Sequence, residues 1–440
     1  MTTSPSKNRL RRVAMDTRPL THPVFRRTFL GQGAAVIGTM VTEVAVPVQI
    51  YDLSHSSFDV GLAGLAGLVP ILVFGLYGGA VADAVDRRLL YLASSALTWT
   101  VTLALFAQAL AGVRSVPLIL GLVAVQSGGF AVSSAVRGAI TPALVPPEVV
   151  PAANSLTFTV STVGQVLGPL LAGVLLGLPD GFCYAYGADA VLFTAALYAT
   201  FRLPPLPAAD PIGRPGLRSV LDGLRFLAGR RVLLMSFLVD IAAMVLAMPT
   251  ALFPQAAETR WHGGVGLLYS SIAAGSVLAG LLSGWIGRVR RQGAALTAAV
   301  VAWAGAVALA GLAPSLWLAV TLLVIAGAAD LVSAVYRQTI LQTAVPDRMR
   351  GRLQGVYTVV VAGGPRLGDL RAGLMASALP LAVAWSGTAV VCGALVLAAA
   401  LLVRPFWRYT PAEGVAERST KEGAAHRADG HRARPGAEGW

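Results

Sequence analysis

Charge is scarce in this chain. Only 12% of its 440 residues are Asp, Glu, Lys or Arg, whereas 55% are hydrophobic. Soluble domains carry roughly a quarter of their residues charged, so about half the usual complement is missing. A chain this apolar cannot hide its surface in one globular core and needs hydrocarbon as part of its solvent. Lysine is scarcer still: Lys7 and Lys421 are the only two, both in the tails. No G-x-x-x-x-G-K-[ST] phosphate loop can therefore form, which removes that route to ATP hydrolysis. The five histidines (His22, His55, His262, His426, His431) all lie outside the apolar runs. An intramembrane metalloenzyme or histidine acid–base catalyst has nothing to work with. Cysteine is limited to Cys183 and Cys392, in or beside apolar stretches and without metal-ligand spacing. Neither a disulfide framework nor a metal site nor a cofactor is expected, and an enzyme is the class least supported.

The charge that is present is mostly of one sign. The formal net charge is +13, and arginine supplies 32 of the 34 basic residues. A nucleic-acid surface would gather them in one patch with interleaved aromatics; here they stand in groups between apolar runs, which excludes that partner. A bilayer crossing needs roughly 20 apolar residues. Spans are expected near 28–51, 58–82, 89–111, 116–136, 155–178 and 182–202, then near 232–254, 265–286, 294–312, 316–336, 354–379 and 381–403. The fold class is an all-α membrane protein with twelve transmembrane helices, six in each half.

Orientation follows from the arginines. With both tails and the even-numbered connections assigned to the cytoplasm, 30 of the 34 basic residues fall on that side. Only Arg114 and Arg260 fall opposite, and Arg366 and Arg371 lie inside a span. That is the asymmetry of the positive-inside rule. The expected order is a cytoplasmic tail (1–27) before an uncleaved first span, a six-helix bundle (28–202), a cytoplasmic linker (203–231), a second six-helix bundle (232–403) and a disordered cytoplasmic tail (404–440). The linker opens with Pro204, Pro205, Pro207, Pro211 and Pro215. It closes on Ser219–Arg231, where Val220, Leu221, Leu224 and Leu227 recur at helical spacing against Arg218, Asp222 and Arg225, as in a short helix on the membrane surface. A plasma-membrane protein with both termini inside is expected.

Two halves also share a pattern. Arg137, Ile140, Val145 and Pro146 recur as Arg337, Ile340, Val345 and Pro346, each 200 residues on and each after the fourth span of its half. A duplicated six-span unit requires such a match at such a place.

Ionisable groups within spans are costly, about 2.5 to 3.5 kcal/mol each near a helix centre, so each should face a cavity or a partner. Glu43 lies in the first span, Asp189 in the sixth, Asp240 in the seventh, Asp330 in the tenth, and Arg366, Asp369 and Arg371 in the eleventh. Arg366 and Asp369 are three apart and can neutralise each other on one helix face. Arg371 is then left to attract an anionic group or to pair with Glu43. Glu43 is the first choice for a protonatable or substrate-sensing acid, against a structural ion pair. Asp330 has the blander option of capping a helix or pairing with Arg337. Gln49, Gln126, Gln165 and Tyr186 suit either a polar cavity or interhelical hydrogen bonds.

The connection after the second span reads Gly79-Ala-Val-Ala-Asp83-Ala-Val-Asp86-Arg87-Arg88. This G-x-x-x-D-x-x-x-R-R pattern resembles the cytoplasmic loop signature of the major facilitator superfamily. The second half holds a worn copy, Gly284-Trp-Ile-Gly-Arg288-Val-Arg290-Arg291, without the acid. The fifth span carries Gly164-x-x-x-Gly168-Pro169-x-x-x-Gly173, which looks like the superfamily's fifth-helix antiporter motif. The run Pro346-Asp347-Arg348-Met349-Arg350-Gly351-Arg352, with Arg137 and Asn154, is similar to the enterobactin-exporter-like subgroup. The resemblance implies two pseudo-symmetric six-helix bundles with a small-molecule substrate bound between them and reached alternately from each side. Gly79, Asp83, Arg87 and Arg88 would belong to a cytoplasmic gate, against the alternative that the arginines only enforce topology. The Gly-Pro motif would pack helices, against a plain kink. Proton-driven efflux of a siderophore, antibiotic or hydrophobic metabolite by a monomer is what the family implies. One departure stands out: the fourth span offers Gln126 and no intramembrane arginine, which many drug–proton antiporters carry there. An importer of the same fold, or a transport-dead receptor or scaffold, is the rival.

Overall fold

The computed structural model describes residues 16–84, 86–204, 224–345 and 347–410. Nearly all of them are helical, as lipid demands: backbone groups with no water to bond to must be satisfied within each segment. The first six helices are α1 (Pro23–Ser54), α2 (Ser57–Ala84), α3 (Arg87–Leu110), α4 (Val116–Ala143), α5 (Val150–Leu176) and α6 (Gly181–Phe201). Then come α7 (Arg231–Ala247), a short 3-10 turn (Thr250–Leu252), α8 (Phe253–Thr259), α9 (Val265–Leu281), α10 (Gln292–Leu312), α11 (Leu316–Ala344) and α12 (Asp347–Ala378). A π turn (Val383–Gly387) leads into α13 (Thr388–Leu402), and α14 (Arg404–Trp407) closes the series. Among the described residues ten segments are long and apolar enough to span a membrane, with α7 and α8 counted as one. The shorter apolar α9 and the 32-residue α12, whose arginines and aspartate lower its hydropathy, complete a set of twelve.

Several helices overrun the expected spans, though α9 stops at Leu281 rather than 286. α1 begins at Pro23 rather than near 28, α4 continues to Ala143 rather than 136, and α11 reaches Ala344 rather than 336. A ruler of roughly 20 residues measures only the hydrocarbon, whereas a helix runs on into the headgroup layer. Arg137 and Arg337 consequently lie on helices, not in the connections where the shorter spans put them. The turns are tight: His55 and Asp180 adopt left-handed backbone (φ 50 and 56), and the N–H of His55 returns to the carbonyl of Tyr51. The expected surface helix is described only in part, with 224–228 helical; the tail beyond 410 lies outside the described residues.

Packing divides the chain into two compact units. One comprises Met1–Arg214 with Ala257–Ala273, the other Pro215–Ala256 with Ala274–Trp440. In the first, α1 packs on α5 and α6, α4 on α2 and α3, and α3 on α6. In the second, α10 packs on α11 and α13, and α7 on α12 and α13. Lipid tails are as apolar as leucine, so close approach and hydrogen bonds must hold these helices together. Small residues supply the approach. A Cβ on Gly31 of α1 would fall 2.9 Å from the Cβ of Ala199 on α6. Gly311 of α10 admits the Trp385 ring, whose indole N–H donates to the carbonyl of Val307 at 2.9 Å.

Candidate functional site

The first unit buries a carboxyl group. Asp189 of α6 is 1% exposed, and its Oδ2 accepts from the hydroxyls of Thr42 on α1 (2.6 Å) and Thr102 on α3 (3.3 Å). Its Oδ1 is buried without a hydrogen-bond partner, against Gly38 of α1, where any side chain would collide with it. The absence of a Cβ at Gly38 makes room for the carboxyl. A few turns along, Gln49 of α1 and Gln108 of α3 exchange amide hydrogen bonds (3.4 and 3.0 Å), and the Tyr186 hydroxyl donates to Gln49 Oε1 at 2.7 Å. Gln49 and Tyr186 thus make hydrogen bonds between helices.

The second unit buries an ion pair. Arg337 of α11 hydrogen-bonds directly to Asp240 of α7, and the two side chains are 6% and 1% exposed. Asp330, two turns earlier on α11, lies within electrostatic reach of both, and the Tyr357 hydroxyl of α12 lies against Arg337. Asp240 alone makes the contact, and Asp330 adds a second carboxyl to its surroundings. Sequence offered Arg337 as a partner for Asp330 and set it in a connection, because the tenth span was cut one residue before it; the acid bonded to it is Asp240.

A second polar cluster forms where α7 ends. Asp369 of α12 accepts from the Thr250 hydroxyl and from the backbone N–H of Ala251 (3.1 Å) in the 3-10 turn. Arg371 spends its donors on backbone: Nε to the carbonyl of Val245 (3.0 Å), one terminal nitrogen to that of Met248 (3.1 Å), and the other to that of Ala384 (3.3 Å) and the Thr388 hydroxyl (2.6 Å). The carbonyls at a helix C-terminus have no intrahelical donor, and this guanidinium supplies one.

The remaining expected residues differ in exposure. Glu43 is exposed on α1 between buried Thr42 and Val44; Gln165 is exposed on α5, while Gln126 on α4 and Arg366 on α12 are half-buried. Gly79 and Asp83 fall on α2, and their side chains are outside the described set. Arg87 and Arg88 open α3. Asp86 caps it, Oδ1 accepting from the N–H of Arg88 at 2.8 Å, and the Arg88 guanidinium donates to the carbonyl of Phe201 at the end of α6 (2.8 Å). The Gly-Pro motif sets α5 tightly on α1. A Cβ on Gly164 would come 2.5 Å from a methyl of Val36, one on Gly168 would overlap Met40, and one on Gly173 would lie 3.0 Å from the Cα of Gly266. Among the described residues no three His, Cys, Asp or Glu side chains gather where a metal could be held.

Two buried acids, one buried ion pair and glycine-packed helices are what a polytopic membrane protein with a working interior contains. The sequence model of a family described as transmembrane secretion effectors matches residues 15–424. The chain belongs to that family, within the major facilitator superfamily. Its relatives include enterobactin exporters: the protein of Citrobacter koseri is 32% identical over 378 residues, covering 83% of this chain and 88% of its own. That of Shigella boydii serotype 18 is 31% identical over 411 residues, covering 91% and 97%. Solved structures share the fold at lower identity. The nucleoside transporter NupG superposes with a TM-score of 0.68 at 13% identity, over 88% of this chain and all of that one. A bacterial homologue of the human lysosomal transporter Spinster gives 0.67 at 18% identity over 92% and 99%, and a bacterial homologue of the iron transporter ferroportin 0.66 at 16% over 88% and 99%. This major facilitator protein is therefore a multi-pass secondary transporter with the twelve-helix fold of its superfamily.

Proposed function

We propose that this transporter exports a small organic molecule, of siderophore, antibiotic or hydrophobic-metabolite type, by alternating access driven by the proton gradient. The observation that carries the reading is the match to enterobactin exporters over nearly the whole of both chains. Buried acids support the coupling ion: groups such as Asp189 and Asp240, the latter paired with Arg337, are costly to place at bilayer depth, and a scaffold has no need of them. The protein sits as a monomer in the plasma membrane, with lipid around it, both tails and the 203–231 linker in the cytoplasm, and Gly79, Asp83, Arg87 and Arg88 at a cytoplasmic gate. Glu43, exposed on α1, is the first acid to face the substrate path. It catalyses no covalent chemistry.

The test is accumulation in cells exposed to a panel of siderophores, enterobactin among them, and antibiotics, with and without a protonophore. Expression should lower intracellular accumulation of at least one compound, the protonophore should abolish the effect, and Glu43→Gln should blunt it at equal protein level. Raised accumulation would establish the importer. No change across the panel, with folded protein in the membrane, would leave the receptor or scaffold reading. Tags in the 52–57 turn and the 203–231 linker should be accessible from opposite faces; labelling from one face sinks the two-bundle topology.

A further inference from the structure

Asp189 is a buried acid with no cation to answer it. It is 1% exposed on α6, and α6 packs on α1, α3 and α5. Between residues 28 and 201 arginine stands only at 87, 88, 114 and 137, and lysine nowhere. Arg88 lies 14 residues before Thr102 on α3, about 21 Å along the helix. Arg114 is in the connection after α3, and Arg137 is near the end of α4, which packs on α2 and α3. No described charge acts on the carboxyl; burial and two threonine hydroxyls do. None of the other ionisable groups on the packed helices bonds to it. Glu43 and Tyr184 are exposed, Cys183 is half-buried, and Tyr186 gives its hydroxyl to Gln49. Tyr51, Asp52, Tyr91 and Tyr198 stand nine or more residues along their helices from Thr42, Thr102 or Asp189, and α5 has no ionisable group.

A carboxylate buried without a cation is so costly that such a group takes up a proton instead. The hydrogen bonds fit that state. Oδ2 lies 2.6 Å from the Thr42 hydroxyl, which can donate to a carboxylate or accept from an acid O–H, as can that of Thr102. Both charge states therefore find partners in one geometry, as a site that fills and empties requires. Oδ1 has no partner and rests against Gly38. Left unbonded, the carbonyl oxygen of a neutral acid costs less than a carboxylate oxygen does. Helix packing does not call for the acid. At the 200-residue offset of the repeat, position 389 on α13 is a buried alanine, and α13 still packs on α7 and α10 as α6 does on α1 and α3.

We infer that Asp189 binds and releases the proton that drives transport, with Thr42 and Thr102 as its positioning residues. This deepens the proton-driven reading and rests on it for the proton's use, not for its binding. The first readout is infrared spectroscopy of the full chain in phosphatidylcholine nanodiscs, as the difference between native protein and Asp189→Asn. A neutral carboxylic acid has a carbonyl band that a carboxylate lacks. The difference should contain one such band, which falls as the medium is made alkaline and returns on reversal. Thr42→Val removes the 2.6 Å bond and keeps the acid, so it should move the band without abolishing it. That variant decides the matter should Asp189→Asn not fold. The second readout takes a panel compound that the native chain expels. Asp189→Asn, at equal protein level, should return its accumulation to that of cells without the transporter, a complete loss where Glu43→Gln only blunts. An acid band missing from the difference, a band unmoved by alkali or by Thr42→Val, or uphill export by Asp189→Asn overturns the inference. The two readings fail separately. Native export that a protonophore leaves intact, or a native chain that moves nothing, sinks the proton-driven reading and leaves proton binding to the band. Protonophore-sensitive export indifferent to Asp189→Asn sinks only the role of Asp189.

Discussion

Breaking the Asp240–Arg337 pair should be among the most damaging single changes available to this protein, and the damage should depend on which partner is removed. Both side chains are almost wholly buried, at 1% and 6% exposed, and the contact is direct. Removing one member of such a pair leaves the other as an uncompensated buried charge, at a cost of about 3–5 kcal/mol. Arg337→Met strands two carboxyls, Asp240 and Asp330, with no cation between them, and belongs at the upper end. Asp240→Asn leaves Arg337 with Asp330 still in reach, and keeps a hydrogen-bonding side chain, so roughly 1–3 kcal/mol is expected. The double change Asp240→Leu with Arg337→Met removes the pair as a unit. Replacing a buried ion pair by apolar side chains of similar volume is often near neutral, so the double variant should recover at least about 2 kcal/mol over Arg337→Met alone. The assay is reversible unfolding in mixed micelles, followed by tryptophan fluorescence, as a double-mutant cycle. Arg337→Met within about 1 kcal/mol of the native protein, or a double variant no better than it, refutes the account.

Three further outcomes follow from single contacts. Thr42→Val should cost about 1–3 kcal/mol and Thr102→Val less, since both donate to buried Asp189 but the second is the longer bond and shares its hydroxyl with the carbonyl of Thr98; equal losses in the same unfolding assay would contradict this. Gly168→Leu should force α5 off α1 at Met40 and cost about 1–3 kcal/mol or more, while Gly121→Ala, with open space around it, should be silent; a thermal shift of equal size in the two would remove the packing argument. Arg371→Met should destabilise by about 3 kcal/mol by stripping donors from the carbonyls of Val245, Met248 and Ala384, and Arg371→Lys should restore only part, because one ammonium cannot span three directions; full rescue by lysine would mean that charge, not geometry, is what Arg371 supplies.

Much of the architecture was legible because hydrocarbon imposes it. Apolar runs of the right length, arginines stranded on one side and a pattern repeated at an interval of 200 residues point to a duplicated six-helix unit before any coordinate is known. The interior was much less legible, for a physical reason. In water a helix shows its buried face by contrast with a polar one; in lipid both faces are apolar, as exposed Leu30 and buried Val41 on α1 illustrate. Rotation about the helix axis then leaves little trace in sequence. Glu43 and Thr42 are neighbours, yet it is Thr42 that reaches Asp189 while Glu43 is exposed. Arg371 was open to an anionic group or to Glu43, whereas it donates to backbone carbonyls, which no residue pattern announces.

Arg337 is instructive, since sequence offered it Asp330 and the fold bonds it to Asp240. Ile140 and Ile340, three residues after the two arginines, are both buried, and i, i+3 neighbours share a helix face. The repeat therefore already implied that Arg137 and Arg337 point inward, and that each needs an answer. One copy finds its answer within the fold, in Asp240, and becomes structure. The other lies over the Phe130 ring. After duplication the two halves face the same packing demands, yet position 40 holds Met where position 240 holds Asp, so the bond that Arg337 makes to Asp240 has no equivalent between Arg137 and residue 40.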